Sequence, residues 1–173
     1  MARRRSAPTS LTPQGHLDEA NLQQVLGYQL AQATIVTDAL FTQCVGLPLQ
    51  LRRVEYTLLM LVAQNPGGSA AGLARALAVT PPNVAVILDR LEARKLIERS
   101  ACADDRRSYR LSVTPGGGAL AREATKRIVA AERSRSGLTP GEQAILAELL
   151  HKIACARQAV AQTQASSAEG VAP

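Results

Sequence analysis

Three residues, Ala78-Val79-Thr80, separate two runs of helical hydrophobic spacing, and that short junction constrains the fold more than any other feature of the chain. The first run, Ala70 to Leu77, follows Ser69 as its N-cap and turns Leu73 and Leu77 inward. The second, Pro81 to about Lys95, follows Thr80 as its N-cap and repeats Val84, Leu88 and Leu91. Pro81 takes the first helical position, where its missing N–H costs nothing. Upstream, Arg53 to Gln64 carries Val54, Leu58, Leu59, Leu61 and Val62 at helical steps and is stopped by Asn65-Pro66-Gly67-Gly68. Two short capped helices joined by a tight turn, behind a third, predict a helix-turn-helix.

The hydrophobic period then changes. Leu96 to Arg99 and Ser108 to Val113 read as short strands, with Tyr109, Leu111 and Val113 alternating against Arg110 and Ser112. The polar segment 100–107 turns between them, so a β-hairpin follows directly on the second helix of the motif, as a wing. Thr114-Pro115 opens a further helix with a body from Ala119 to about Arg135. By propensity, Gly116, Gly117 and Gly118 each weaken its first turn by roughly 1 kcal/mol against Ala. Gly137 breaks it, and Thr139 with Glu142 forms a capping box for a last helix whose stripe is Ile145, Leu146, Leu149, Leu150 and Ile153. Near the N-terminus, Leu22, Val25, Leu26, Leu30, Ala33, Val36, Leu40, Phe41 and Cys44 recur at three- and four-residue steps. They predict one long amphipathic helix ended by Gly46 and Pro48. Such a helix carries more apolar surface than a domain this small can cover, which points to a second subunit.

Composition agrees with a mainly α fold carrying a small β-hairpin. Of the 173 residues 46% are hydrophobic but only 2% aromatic, so the core is aliphatic and suits close-packed helices. The longest unbroken apolar runs, such as Leu58 to Ala63, fall far short of the ~20 residues of a membrane span. Arg3, Arg4 and Arg5 are not followed by the apolar stretch of a signal peptide, so no membrane association is expected and the cytoplasm is the expected location. A net charge of +6 favours a polyanionic partner. The three cysteines, Cys44, Cys102 and Cys155, are widely spaced without a CxxC, and no HExxH or P-loop occurs. Gly67-Gly68-Ser69-Ala70-Ala71 lacks the second glycine of a nucleophile elbow. No enzyme, cofactor or metal site is indicated.

The stretch from Asp104 to Gly117, DDRRSYRLSVTPGG, resembles the wing and following helix of the multiple-antibiotic-resistance regulator (MarR) family of winged-helix transcription factors. Leu73 to Arg99 and Leu138 to Glu142 extend the resemblance, which covers roughly residues 20 to 155. It implies a homodimeric, sequence-specific DNA-binding regulator, a repressor that reads halves of a palindromic operator in double-stranded DNA and is released by a small ligand, such as an aromatic acid. The expected organisation is a basic arm over residues 1–16 and a winged-helix domain over 17–161, with a disordered tail over 162–173. Within that domain, 17–46 and 115–161 are dimerisation helices and about 51–114 the DNA-binding part. The chain departs from the family pattern in three ways: Lys95 stands where a glycine is usual, Ala85 and Val86 where polar or basic residues are common, and Arg52-Arg53 where a Thr or Ser cap is usual.

By the same resemblance Asp105 steadies the wing and Arg107 enters the minor groove, whose narrow form concentrates negative potential; Arg106 lies beside them. From Arg90 to Arg110 seven basic residues face four acidic ones. On the second helix Pro82, Asn83, Val86 and Arg90 project away from the Val84-Leu88-Leu91 stripe. Asn83 suits adenine, Val86 a thymine methyl, and Arg90 guanine or phosphate. Ser69, Thr80 and Arg75 are candidate phosphate ligands. His16 and Arg52 are candidates for the anionic group of an effector. Cys44 and Cys155 read as small core residues, whereas Cys102, between Arg99 and Arg106, is a candidate reactive thiol. Two other functions fit a winged helix: a protein–protein interaction module and a general DNA-coating protein. The basic arm and wing favour DNA.

Overall fold

The computed structural model describes residues 11–101 and 109–157. The chain divides into two compact units, Met1–Ile128 and Val129–Pro173.

In the first unit a 3-10 helix, Ala20–Gln24, precedes α1, Leu26–Phe41. The single helix expected from Leu22 is thus broken at Val25, which takes an extended backbone (φ −87°, ψ 104°). Apolar spacing reports which side of a segment is buried; it does not report whether the backbone bonds run on. The expected stop at Gly46-Pro48 is also corrected. After α1 the helix widens into a π turn, Thr42–Gly46, and resumes as α2, Leu47–Leu49, ending at Gln50 in the left-handed region (φ 49°). A widened turn just before Pro48 accommodates a residue that lacks an N–H and whose ring would collide with the carbonyl four residues back. From Leu26 to Leu49 this helical stretch is long and apolar enough to cross a membrane by length and composition, and little of it is buried. Gln and Thr interrupt its apolar runs and Asp38 is its one charged residue, so unbroken runs alone understate it.

Next come α3, Arg53–Gln64, α4, Ala70–Leu77, and α5, Pro81–Ala93. The axes of α4 and α5 are bent by 117° across the three-residue link, within the range of helix-turn-helix units. The hairpin pairs β1, Ile97–Ala101, with β2, Tyr109–Val113, antiparallel from Ile97↔Val113 to Ala101↔Tyr109. A feature absent from the strand pattern extends it: Gly68 bridges Leu111, with Gly67 N–H donating to the Leu111 carbonyl (2.9 Å) and Leu111 N–H to that of Gly68 (3.1 Å). The loop after α3 therefore ties the root of the wing to the helices. Leu111 is buried, but Tyr109, expected on the same inward face, is 54% exposed because it lies at the far end of the ladder.

The core is aliphatic: Val45, Leu58, Leu59, Val84 and Leu91 are completely buried and Leu88 nearly so. α6, Pro115–Arg135, starts against it. Thr114 caps α6 by accepting the Gly117 N–H (3.0 Å). A Cβ at Gly117 would collide with the backbone carbonyl of Leu96, so this glycine is required by close approach and is no mere weakness in the helix.

In the second unit, Gln143 Nε2 donates to the Glu132 carbonyl (2.9 Å) and to Ser136 Oγ (2.9 Å), fastening the turn around Gly137. α7, Pro140–Cys155, begins with the expected capping box: Thr139 N–H donates to Glu142 (2.8 Å) and Glu142 N–H to Thr139 Oγ1 (3.3 Å). Cys155, expected in a core, is exposed, with Sγ 3.5 Å from His151 Nε2. On the helical wheel it falls opposite the Ile145-Leu149 stripe. Cys44 is partly buried against the core, and Cys102 lies outside the described residues.

Candidate nucleic-acid interface

The second helix of the motif, α5, is set by its two ends. Thr80 stands at the N-cap but its hydroxyl makes no cap hydrogen bond, contrary to the expected cap. Pro81 and Pro82 remove the first two amide donors, and Asn83 N–H is already given to the Thr80 carbonyl (3.0 Å). The Thr80 hydroxyl is therefore left on the surface without that backbone partner. At α4, by contrast, Ser69 Oγ accepts the Gly72 N–H (3.1 Å) and caps as expected.

At its C-terminus α5 closes in a Schellman arrangement. Leu96 N–H donates to the Leu91 carbonyl (2.9 Å) and Lys95 N–H to that of Glu92 (2.7 Å), with Lys95 in the left-handed region (φ 56°). The turn usually made by glycine is kept, and Lys95 bears its strain, of order 1 kcal/mol.

Between these ends Val84, Leu88 and Leu91 face the core while Pro82, Asn83, Val86 and Arg90 are all exposed, Val86 by 50%. Arg75, Ser69 and Thr80 are exposed as well. Asp89 is turned to a structural use: its carboxylate accepts Arg99 Nη2 at 2.6 Å, and Arg99 Nη1 lies 3.5 Å from Glu92, so β1 is bound to the side of α5. The exposed face of α5 thus offers one amide, one apolar patch and one cation, an assortment suited to base edges and phosphate. Asp105, Arg106 and Arg107, the expected wing contacts, lie outside the described residues.

A cavity of about 600 Å³ opens beside α3, lined by Asp38, Phe41, Thr42, Gly46, Gln50, Leu51, Arg52 and Arg53. Arg53 is already committed: Nη2 contacts Asp38 (2.7 Å) and the Thr37 carbonyl (2.8 Å), and its guanidinium lies 4.9 Å from the centre of the Phe41 ring. Arg52 is exposed at the rim. His16, the other residue expected to meet an anion, is exposed and does not line this cavity.

The MarR family profile matches residues 46–108. An HTH-type transcriptional repressor of Mycobacterium tuberculosis is 35% identical over 107 residues, covering 61% of this chain and 77% of the relative. The structure of the transcriptional repressor CouR bound to a 23-mer DNA duplex superposes with a TM-score of 0.73 at 32% identity, over 80% of this chain and 98% of that one. The chain belongs to the MarR family. Bordetella bronchiseptica BpsR, whose DNA binding is regulated by 6-hydroxynicotinic acid, is a further structural relative, with a TM-score of 0.65 and 28% identity over 75% of this chain and 92% of that one.

MarR-family proteins are DNA-binding transcriptional regulators and not enzymes, and the winged-helix fold expected from the sequence is the one found. What the sequence reading missed in this MarR-family unit is the set of contacts joining distant segments. The Gly68–Leu111 bridge and the Arg99–Asp89 pair lack any spacing signal, although the Gly-Gly pair in the loop is the kind of sequence that permits a close backbone approach.

Proposed function

We propose that the protein is a homodimeric repressor that reads a palindromic operator through α5 and the wing and is released by a small aromatic acid. The observation that carries the reading is the exposed face Pro82-Asn83-Val86-Arg90, backed by a fully buried stripe on the same helix. Asn83 and Arg90 supply hydrogen-bonded readout, Val86 meets a thymine methyl, and Arg75, Ser69 and Thr80 contact phosphates. Arg107, with Arg106 beside it and Asp105 steadying the turn, reaches the minor groove.

Support for two subunits comes from apolar side chains left uncovered on α1 and on α7, including Leu26 (67%), Ile35 (65%), Ile145 (59%) and Leu149 (50%). A second copy that covers them sets the half-sites about one helical turn apart, ~34 Å. The effector reading rests on the cavity, which combines the ring of Phe41 and the side chain of Leu51 with the cationic rim residue Arg52. The 6-hydroxynicotinic acid that regulates DNA binding by BpsR fits the same chemistry.

Selection of bound sequences from random DNA by the purified protein tests the reading, and an inverted repeat is the expected result. Asn83→Ala then relaxes preference at one base position per half-site, while Arg75→Ala weakens all sequences alike and lowers the salt slope by about one unit per half-site. A wild-type preference ratio near one for selected over scrambled DNA favours a general DNA-coating protein instead.

A further inference from the structure

The cavity wall and the end of α5 are built on the same few atoms. α2 ends with its last carbonyls lacking helical partners, and Arg94, the C-cap of α5, supplies them. Its Nη1 donates to the Gln50 carbonyl (2.7 Å) and its Nη2 to the Leu49 carbonyl (3.2 Å), across more than forty residues of sequence. Arg94 Nη1 also lies 3.9 Å from Glu55 Oε2, and Glu55 is the one buried carboxylate in α3. The same Oε2 accepts the backbone N–H of Arg52 (2.9 Å). Gln50, Leu51, Arg52 and Arg53 are at once cavity wall and the segment these bonds hold.

The other side of the α5 terminus is fixed differently. Thr114 Oγ1 donates to the Lys95 carbonyl (2.8 Å), Thr114 N–H donates to the Leu96 carbonyl (3.1 Å), and Gly117 is packed against the Leu96 backbone too closely for any side chain. The end of α5 is therefore pinned to the start of α6 by backbone, and tied to the cavity wall by one guanidinium.

We infer that Arg94 is a positioning residue, and that with Glu55 it forms a latch coupling the cavity wall at residues 50–53 to the C-terminal end of the recognition helix. The inference rests on the reading of α5 as the DNA-reading helix and of the cavity as the effector site. A ligand that draws Arg52 outward or spreads Gln50 from Leu51 moves the Arg52 N–H and the Gln50 carbonyl together. Arg94 then follows or releases, and the backbone pin at Lys95-Leu96 turns either event into a rotation of the last turn of α5. Arginine suits the place because its two Nη atoms hold separate donors in a rigid plane, one for each carbonyl, with the carboxylate beside them. An ammonium gathers its three donors on one nitrogen at the end of a flexible stem.

The test is hydrogen exchange on the full chain, with and without substitution. Arg94→Gln speeds exchange at least tenfold in both segments, residues 49–55 and 91–97, and Arg94→Lys does not restore protection. Acceleration confined to 91–97, or full protection in Arg94→Lys, overturns the latch. If Arg94→Gln does not fold, Glu55→Gln, which keeps an acceptor for the Arg52 N–H, is measured instead. It loosens both segments if the charge pair matters, and leaving both unchanged overturns the proposal. A second arm fills the cavity without any ligand: Thr42→Trp weakens DNA binding tenfold or more in the wild-type background and less than threefold with Arg94→Gln. Equal factors in both backgrounds, or no effect in either, overturn the coupling. Absence of selective DNA binding by the wild type sinks the functional reading alone, since the exchange result still decides the latch.

Discussion

α5 and α7 carry apolar stripes of the same helical spacing and bury them to opposite extents. Val84, Leu88 and Leu91 are 0–1% exposed, whereas Ile145, Leu149 and Ile153 are 47–59% exposed. The stripes are indistinguishable as sequence; what differs is the company. α5 sits among α3, α4 and the hairpin, all within about sixty residues of one another, and the chain supplies its own cover. α7 has a well-made N-terminus, with a complete capping box, and an apolar face that this chain leaves open. A stripe specifies a face and says nothing of what covers it.

The sharpest way to break this contrast is to place a charge on each kind of surface in turn or to hollow it out. Leu149→Asp is expected to abolish assembly, with sedimentation showing monomer or unfolded chain where the wild type sediments as a dimer at micromolar concentration. A wild type that is itself a folded monomer removes the reading. Leu88→Ala leaves a cavity in a closed core and should cost about 2–5 kcal/mol in denaturant unfolding, with the exposed stripe of α7 untouched.

Gly117→Ala tests sign. Helix propensity alone says that Ala should stabilise α6 by roughly 1 kcal/mol. The backbone of Leu96 blocks the added methyl, and backbone yields less readily than a flexible side chain. The expected outcome is a loss at or above the ~1–3 kcal/mol typical of overpacking, read as a lowered urea midpoint. A gain in stability would show that the α5–α6 junction has slack. In the opposite direction, Lys95→Gly should raise stability by up to about 1 kcal/mol, since it relieves a left-handed residue whose hydrogen bonds are otherwise complete.

The smallest effect concerns the start of α7. The Thr139 backbone N–H, and then its hydroxyl, hold the Glu142 carboxyl below its ordinary pKa. A depressed folded-state pKa gives stability that is present above the unfolded value and lost as pH falls through the folded one. Amide signals of residues 139–143 should therefore report fraying on acidification below the usual carboxylate range; Thr139→Ala, which keeps the backbone N–H and loses only the hydroxyl, should weaken that pH dependence, and Glu142→Gln should remove it. The winged unit, without such a carboxylate box at α4 or α5, should show no matching transition at Ser69 or Thr80.

Those helices were readable because their signals are local. Arg53–Gln64 and Ala70–Leu77 have the limits that Asn65-Pro66-Gly67-Gly68, Ser69 and the Ala78-Val79-Thr80 link announce, and the exposed face of α5 follows from its buried one. The break at Val25, the π turn at Thr42–Gly46 and the outward Tyr109 were not readable, because each depends on which neighbours arrive and not on spacing. The same holds for Arg94. In sequence it is one more arginine in a basic stretch, and only the fold brings it to Leu49, Gln50 and Glu55.

The two prolines that open α5 have a consequence for the order of events during folding. Helix initiation is slow and unfavourable because the first turn must immobilise several dihedral angles for a single hydrogen bond. Pro81 and Pro82 arrive with φ already near the helical value, so the unfolded chain has fewer conformations to surrender at that point. The N-terminal turn of α5 is thereby expected to form at a lower entropy cost than its other end, which long-range contacts clamp.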